Sequence, residues 1–128
     1  MSGNKQRFLI CNNCGNFVGF FADKGNPLTC CGKEMVELEP NTVDASNEKH
    51  LPSLTVSGEK LDVQIGSVSH PMEDAHHITF IYVETEKGSQ NKHLKIGDKP
   101  NSSFLLTDDK PIAVYAYCNL HGLWKTSV

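Results

Sequence analysis

The chain has 128 residues, a hydrophobic fraction of 38% and a net charge of −3, which suits one medium domain or one domain beside a small one. Arg7 is the only arginine and no basic run exceeds an isolated pair, so the positive stripe that nucleic acid requires is missing. The sequence contains neither an apolar run of roughly 20 residues nor a visible signal peptide. These features predict a soluble, cytoplasmic protein without nucleic-acid or membrane partners.

The first 31 residues contain four of the five cysteines. In a chain without an export signal, such cysteines predict metal or redox ligands rather than disulfides. Cys11 and Cys14 form a CxxC knuckle, a short strand is predicted at 17–21, and a turn at 25–27 leads back to the adjacent pair Cys30 and Cys31. Together they predict a tetrahedral four-cysteine site for iron or zinc.

The adjacent pair of cysteines sets a local requirement on the backbone. Neighbouring side chains point apart in an extended strand, so Cys30 and Cys31 can share one ion only in a distorted turn. Because some 30 residues cannot hold a useful core alone, the metal is expected to supply much of the folding energy of this module.

Beyond residue 34 the composition changes, and a polar, proline-containing linker is predicted at 37–42. We place the domain boundary between residues 37 and 38. The remaining chain carries short alternating segments and turn signals at 57–58 and 87–88, and no stretch of a dozen residues holds a helical period. This pattern predicts an antiparallel β-sandwich. The predicted strands are 54–56, 61–65, 78–83, 94–96, 103–106 and 112–117.

The second part of the chain also carries a set of possible metal ligands. Cys118 and His121 are three residues apart at the end of a predicted strand, a spacing that allows both to reach one ion. His93 lies in a polar stretch and is predicted to be solvated. His76 and His77 are neighbours, so at most one of them should face a given site. The candidate donors are His50, His70, His76, His77, Cys118 and His121.

The donor types narrow the choice of metal in this second site. Copper on a β-sandwich would call for an axial methionine shortly after the last ligand, and no methionine follows Met72. Zinc would close its shell with four ligands and leave one candidate unused. Four imidazoles and one thiolate suit a square-pyramidal ferrous ion with one open position.

At this point the motifs resemble those of the desulfoferrodoxin family, the two-iron form of superoxide reductase. The resemblance covers essentially the whole chain. It implies a mainly β protein, with a small desulforedoxin-like iron module at 1–37 followed by an immunoglobulin-like antiparallel β-sandwich catalytic domain at 38–128. The matching motifs are Cys11-x-x-Cys14 with Cys30-Cys31, Glu48-Lys49-His50-x-Pro52, His70-Pro71-Met72 with His76, and Cys118-Asn119-Leu120-His121-Gly122.

The resemblance also implies a role for each residue of the second iron site. The axial ligand would be Cys118, and the choice between the two adjacent histidines would fall on His76. His77 departs from the family, which commonly has tyrosine there, but this puts no ligand in doubt. The implied equatorial ligands are His50, His70, His76 and His121.

The implied activity is the one-electron reduction of superoxide to hydrogen peroxide in an anaerobe or microaerophile. Lys49 would attract and orient the anion, and Glu48 would close onto the ferric iron after turnover. A rubredoxin-type protein would donate the electron, the first iron centre would be accessory, and the chain would form a homodimer. Two competing interpretations are a two-centre electron carrier, which the open coordination position disfavours, and a zinc ribbon fused to a binding module, which leaves Cys118 and the histidines without a role.

Overall fold

The structure is a computed structural model that describes residues 6–43, 45 and 47–128. The first five residues of the predicted N-terminal module therefore lie outside the described residues. The chain divides into two compact units, one ending at Glu39 and the other beginning at Pro40. This division falls two residues after the boundary predicted from composition. No helix among the described residues is long and apolar enough to cross a bilayer.

The first unit consists of short antiparallel strands around a very small core. The strands are β1 (Phe8–Ile10), β2 (Phe17–Gly19), β3 (Thr29–Cys30), β4 (Lys33–Glu34) and β5 (Val36–Glu37). One sheet has the order β2-β1-β5, and β3 pairs with β4 in a separate hairpin. Leu9, Cys11 and Met35 form the buried cluster. So few buried side chains leave this unit dependent on other stabilising contacts.

The second unit has one helical turn followed by seven strands in two antiparallel sheets. The elements are α1 (Asn47–His50), β6 (Pro52–Ser57), β7 (Lys60–Ile65), β8 (Ile78–Thr85), β9 (Ser89–His93), β10 (Asn101–Leu105), β11 (Pro111–Cys118) and β12 (Gly122–Ser127). One sheet has the order β10-β7-β6 and the other β12-β11-β8-β9.

The core of the second unit lies between these two sheets. Leu61, Val63 and Ile65 alternate inward along β7, as the period of two in the sequence predicts. Side chains from β8 and β11 join them in one cluster. Each fully buried aliphatic side chain of this kind stabilises the fold by about 1.5–3 kcal/mol. Cys118 belongs to the same cluster and is completely buried, so its sulfur is held rigidly at the end of the core.

The mainly β fold is confirmed, whereas several element boundaries were wrong. The predicted strand at 94–96 is not a strand, because the partner of β8 is the preceding segment Ser89–His93. This edge strand is exposed along its whole length and therefore shows no apolar alternation. The final strand, Gly122–Ser127, was missed, and so were the helical turn at Asn47–His50 and four short strands of the first unit.

Candidate metal centres

The four N-terminal cysteines converge as their spacing predicts. Their sulfur atoms all lie within 4.8 Å of one another, with Cys14 Sγ 3.6 Å from Cys30 Sγ and Cys30 Sγ 3.9 Å from Cys31 Sγ. In the knuckle, the Gly15 N–H donates to the Cys11 carbonyl at 2.8 Å, and Gly15 adopts a positive φ of 84°. The glycine permits the tight turn that brings the first two sulfurs together.

The adjacent cysteines meet through a strained hairpin turn. β3 ends at Cys30 and β4 begins at Lys33, so Cys31 and Gly32 form a two-residue connection with φ values of 54° and 74°. Two consecutive positive φ values are typical of a type I′ hairpin turn. For Cys31 this left-handed conformation costs roughly 1–2 kcal/mol. The distorted turn expected from the sequence is confirmed.

The thiols of this cluster lie in hydrogen-bonding contact with one another. Hydrogen bonds from the backbone of Cys14 and then Asn13 lower the pKa of Cys11 to about 6. By contrast, side-chain hydrogen bonds with Cys14 and then with Cys11 raise the pKa of Cys30 to about 12. The Cys11 thiol therefore ionises readily, whereas Cys30 keeps its proton. A bound metal ion would take the place of the protons shared among these sulfurs, because thiolate is the ligand form of cysteine.

An arginine network supports the small unit that carries these cysteines. The Arg7 guanidinium donates two hydrogen bonds to Asp23, at 2.6 and 2.8 Å, and a third to Glu37 at 3.1 Å. It also lies 5.1 Å from the ring centre of Phe20. The Asp23 carboxylate in turn accepts the Gly25 N–H, and Arg7 followed by this bond lowers the pKa of Asp23 to about 2. The network joins β1, β5 and the loop between β2 and β3.

A second cluster of donors lies at one end of the β-sandwich. Ligand atoms of His50, His76, Cys118 and His121 all lie within 4.8 Å of one another. The His50 Nε2 is 3.1 Å from the His121 Nδ1, which is 3.8 Å from the Cys118 Sγ. The residues come from α1, the loop before β8, the end of β11 and the turn before β12. Three separate segments thus deliver the four donors, and the connection between β11 and β12 supplies two of them.

His70 completes a group of five donors. Its ring centre lies 4.7 Å from that of His50 and 4.6 Å from that of His76. The His70 Nδ1 is 2.7 Å from the Pro71 carbonyl oxygen, so this nitrogen carries the proton and donates. The opposite nitrogen, Nε2, is buried and has no hydrogen-bond partner in the part of the chain that the structure describes. This arrangement is typical of a metal-binding histidine, whose outer nitrogen is fixed by a backbone carbonyl.

The unpaired nitrogens provide the test of whether a metal fits this cluster. The Nε2 atoms of both His70 and His76 are buried and have no hydrogen-bond partner among the described residues. A buried polar atom left in this way costs about 1–3 kcal/mol. Burial, more than the neighbouring imidazoles, lowers the pKa of His70 to about 4 and also lowers that of His76. Both rings are therefore neutral at pH 7, and a cation bound to their lone pairs fits the cluster.

Cys118 lies behind the four imidazoles as a buried thiol. Burial raises its pKa, whereas backbone N–H groups of Leu120 and His121 act in the opposite direction. These amides stabilise the thiolate and aim its sulfur at the histidines. The side chain belongs to the apolar core, which closes the cluster to solvent on the side of Cys118.

The structure separates the remaining histidines from this cluster. His76 contributes to the donor group, while the neighbouring His77 makes its ring contact with the Glu73 carbonyl oxygen, 3.0 Å from Nδ1. Chemistry alone left the choice between these two open. His93 is exposed on β9, in agreement with its predicted solvated state.

Glu48 and Lys49 lie next to this cluster in sequence and are exposed in α1. Their backbone is held in place, because the Glu48 carbonyl accepts the Val68 N–H at 2.9 Å and the Ser67 hydroxyl at 3.3 Å. A short helical turn, rather than a free loop, therefore presents both charged side chains beside His50.

Trp124 is a residue of the site that motif reasoning left without a role. Its ring stacks on that of His50, with centres 4.8 Å apart and planes inclined by 22°. Its indole N–H donates to the His121 carbonyl at 3.1 Å. One buried side chain thus orients two donors from different segments. The available signal was that the only tryptophan of the chain comes three residues after the last histidine.

The fold and the two donor clusters define a β-rich protein with a four-cysteine site and a four-histidine, one-cysteine site, each able to hold an iron ion. The family model for desulfoferrodoxin matches residues 42–127. A desulfoferrodoxin of Syntrophotalea carbinolica is 43% identical over 91% of this chain and 91% of its own length. The chain therefore belongs to the desulfoferrodoxin family.

Solved structures agree with this assignment. The crystal structure of the superoxide reductase from Treponema pallidum aligns with a TM-score of 0.82 and 34% identity, over 97% of this chain and all of that one. A superoxide reductase of Giardia intestinalis, described as 1Fe-SOR, aligns with a TM-score of 0.55 and 32% identity, over 63% of this chain and 97% of that one. A shorter relative thus matches only part of this chain.

Proposed function

We propose that this protein is a superoxide reductase, an oxidoreductase that reduces superoxide to hydrogen peroxide at the second cluster. The observation that carries this proposal is the convergence of four imidazoles and one buried cysteine at the end of the sandwich. The names of the structural relatives support it. The proposed ligands of the second iron are His50, His70, His76, Cys118 and His121. Those of the first iron are Cys11, Cys14, Cys30 and Cys31.

The five donors would hold the iron and would leave one coordination position for the substrate. The chemistry that iron would supply there is the transfer of one electron, which a separate electron donor would replace. The buried Cys118 closes the rear of the site, so superoxide approaches from the opposite side. The balanced reaction takes one superoxide, one electron and two protons to one hydrogen peroxide.

The exposed charges of α1 are proposed to act on the substrate. Lys49 adds a positive charge beside the site, which raises the local concentration of a small anion and its rate of encounter. Glu48 is the neighbour of Lys49 on the same helical turn, whose backbone is held by hydrogen bonds. Its carboxylate is proposed to occupy the open coordination position of the second centre after the electron has been transferred. The charges of both residues face solvent, where salt screens their effect.

Several finer features belong to the same proposal. The unit that carries the four cysteines, predicted at 1–37, would be a desulforedoxin-like iron module, and the part predicted at 38–128 would be the catalytic domain. A rubredoxin-type protein would donate the electron, and the chain would act as a homodimer in the cytoplasm. The first centre would be an accessory electron site, since two of its ligands, Cys14 and Cys31, are exposed.

The stoichiometry of superoxide consumption tests the proposed activity. Purified, reduced protein is mixed with pulse-generated superoxide, and hydrogen peroxide is measured with and without an added electron donor. Reduction yields one peroxide for each superoxide and requires the donor for repeated turnover. A yield of one peroxide for every two superoxide ions, independent of the donor, would identify dismutation and refute the proposal. No consumption by the iron-loaded protein would favour an electron carrier.

A further inference from the structure

His76 occupies a tight turn at the surface end of the second cluster. The Glu73 N–H donates to the His76 carbonyl at 2.9 Å, and the His76 N–H returns a bond to the Glu73 carbonyl at 3.0 Å. The turn between them, Asp74 and Ala75, is exposed. Within residues 6–43, 45 and 47–128, no hydrogen bond holds the buried Nε2 of His76. Besides its packing against the rings of His50, His70 and His121, the position of this ring depends on its backbone.

The Asn119 side chain forms hydrogen bonds with the backbone on both sides of His76. Its Oδ1 accepts the His77 N–H at 2.8 Å, and its Nδ2 donates to the Ala75 carbonyl at 3.1 Å. The backbone N–H of Asn119 adds a third bond, to the His77 carbonyl at 3.1 Å. An asparagine side chain offers one acceptor and one donor at the required separation, and both are used.

The same residue directly follows Cys118, so these bonds join two segments that carry metal donors. Other donors have orienting contacts of their own. His70 is fixed through the Pro71 carbonyl, and His50 stacks on Trp124. For His76 the corresponding support arrives indirectly, through Asn119.

We propose that Asn119 is a positioning residue of the second centre, which fixes the angle at which His76 meets the metal relative to Cys118. This inference rests on the proposed iron occupancy of that centre, but not on its activity toward superoxide. Metal donors need placement to within about 0.5 Å, and loss of an outer-shell partner typically lowers metal affinity about 10–100-fold. Asn119 itself contacts neither iron nor substrate.

The test uses the full chain carrying Asn119→Ala or Asn119→Asp, loaded anaerobically with ferrous iron. Affinity at the second centre is measured by competition with a chelator, and the first centre serves as an internal reference through its own absorption. Asn119→Ala should lower the affinity of the second centre about 10–100-fold and shift its thiolate-to-iron absorption band. Asn119→Asp keeps the acceptor for the His77 N–H, so its loss should be smaller. Asn91→Ala, on the exposed strand β9, should match wild type.

Three outcomes would overturn the inference. The first is wild-type affinity with an unshifted band in Asn119→Ala. The second is equal loss of iron from both centres, which would show general destabilisation instead of a local role. The third is a wild-type chain that never loads the second iron, which would remove both this inference and the proposed function. Selective loss of iron in Asn119→Ala, with wild type inactive toward superoxide, would support the inference and defeat the proposed function.

Discussion

Replacing Gly66 with alanine is expected to damage the second centre from a position outside its ligand set. Gly66 adopts a φ of 83°, and a Cβ built on it would clash with the Val68 carbonyl oxygen and lie 2.6 Å from that of Lys49. The left-handed conformation costs alanine roughly 1–2 kcal/mol, and overpacking against backbone adds about 1–3 kcal/mol. The free energy of unfolding should therefore fall by about 2–5 kcal/mol, out of the 5–15 kcal/mol typical of a domain.

The clash at Gly66 is expected to affect the second centre more than the first. One of the two carbonyls that the added Cβ would meet belongs to Lys49, immediately before the donor His50, so the backbone of α1 is expected to shift. Iron at the second centre should be lost before iron at the first, because the four cysteines lie in the other unit. Urea unfolding followed at the core, together with the absorption of each centre, measures both effects.

Alanine substitutions at two other glycines serve as controls that distinguish the cost of backbone strain from the cost of the steric clash. Gly58 has a φ of 64° but open space around its Cβ position, so Gly58→Ala should show only the strain of roughly 1–2 kcal/mol. Gly88 has neither a positive φ nor a neighbour within 4 Å, and Gly88→Ala should stay within about 0.5 kcal/mol of wild type. If Gly66→Ala were as stable as Gly58→Ala and kept its second iron, the close approach of the two backbones would be refuted.

Four further results are expected. In stopped-flow measurements, Lys49→Ala should lower the rate of reaction with superoxide and weaken the dependence of that rate on ionic strength. The control Lys92→Ala, on the exposed β9, should leave the rate and its salt dependence unchanged. An unaltered rate in Lys49→Ala would remove that lysine from the mechanism. Cys14→Ser should bleach the first centre yet retain most superoxide reduction, while Cys118→Ser should abolish it, and the reverse result would exchange the roles of the two centres. Trp124→Phe, which keeps an aromatic ring but loses the N–H, should lower iron affinity at the second centre about tenfold or more in chelator competition; wild-type affinity would show that its contacts are dispensable. After both metals are removed by a chelator, the first unit should unfold at a lower urea concentration than the β-sandwich, because the core of the first unit is far smaller. Hydrogen exchange measures the two transitions separately, and the opposite order of unfolding would contradict this expectation.

The central strands could be predicted because apolar alternation in the sequence and burial between the two sheets coincide there. In β7 the alternation of buried Leu61 and Val63 with more exposed neighbours appears directly in the sequence. β9 lies at a sheet edge and buries nothing, so its residues follow pairing with β8 rather than an apolar pattern. The helical turn α1 has four residues, too few for a helical period to be visible.

The cysteine cluster was accessible from spacing alone, including its unusual turn. Two vicinal thiols cannot share an ion in an extended strand, and the positive φ of Cys31 supplies the required bend. The choice of His76 over His77 was not accessible in this way. That choice depends on the tight turn at Glu73 and on the hydrogen bonds of the Asn119 side chain to this turn, and these segments come together only in the folded chain.

Trp124 shows the same limit of sequence reasoning. A lone tryptophan near a motif is compatible with any core position, and only its stacking on His50 shows that it supports the centre. Donor types and spacing thus indicated which residues could bind iron. The residues that orient them depend on tertiary contacts.

The occupancy of the two centres can be measured by metal analysis combined with visible and EPR spectra of the purified chain. We expect two irons per chain, one with the spectrum of a distorted four-thiolate site and the other with a thiolate-to-iron band that is lost in Cys118→Ser. Addition of superoxide to the reduced protein should oxidise the second iron. A colourless protein with a single zinc ion, or a second band that survives the loss of Cys118, would show that the two clusters are not the iron sites of a superoxide reductase.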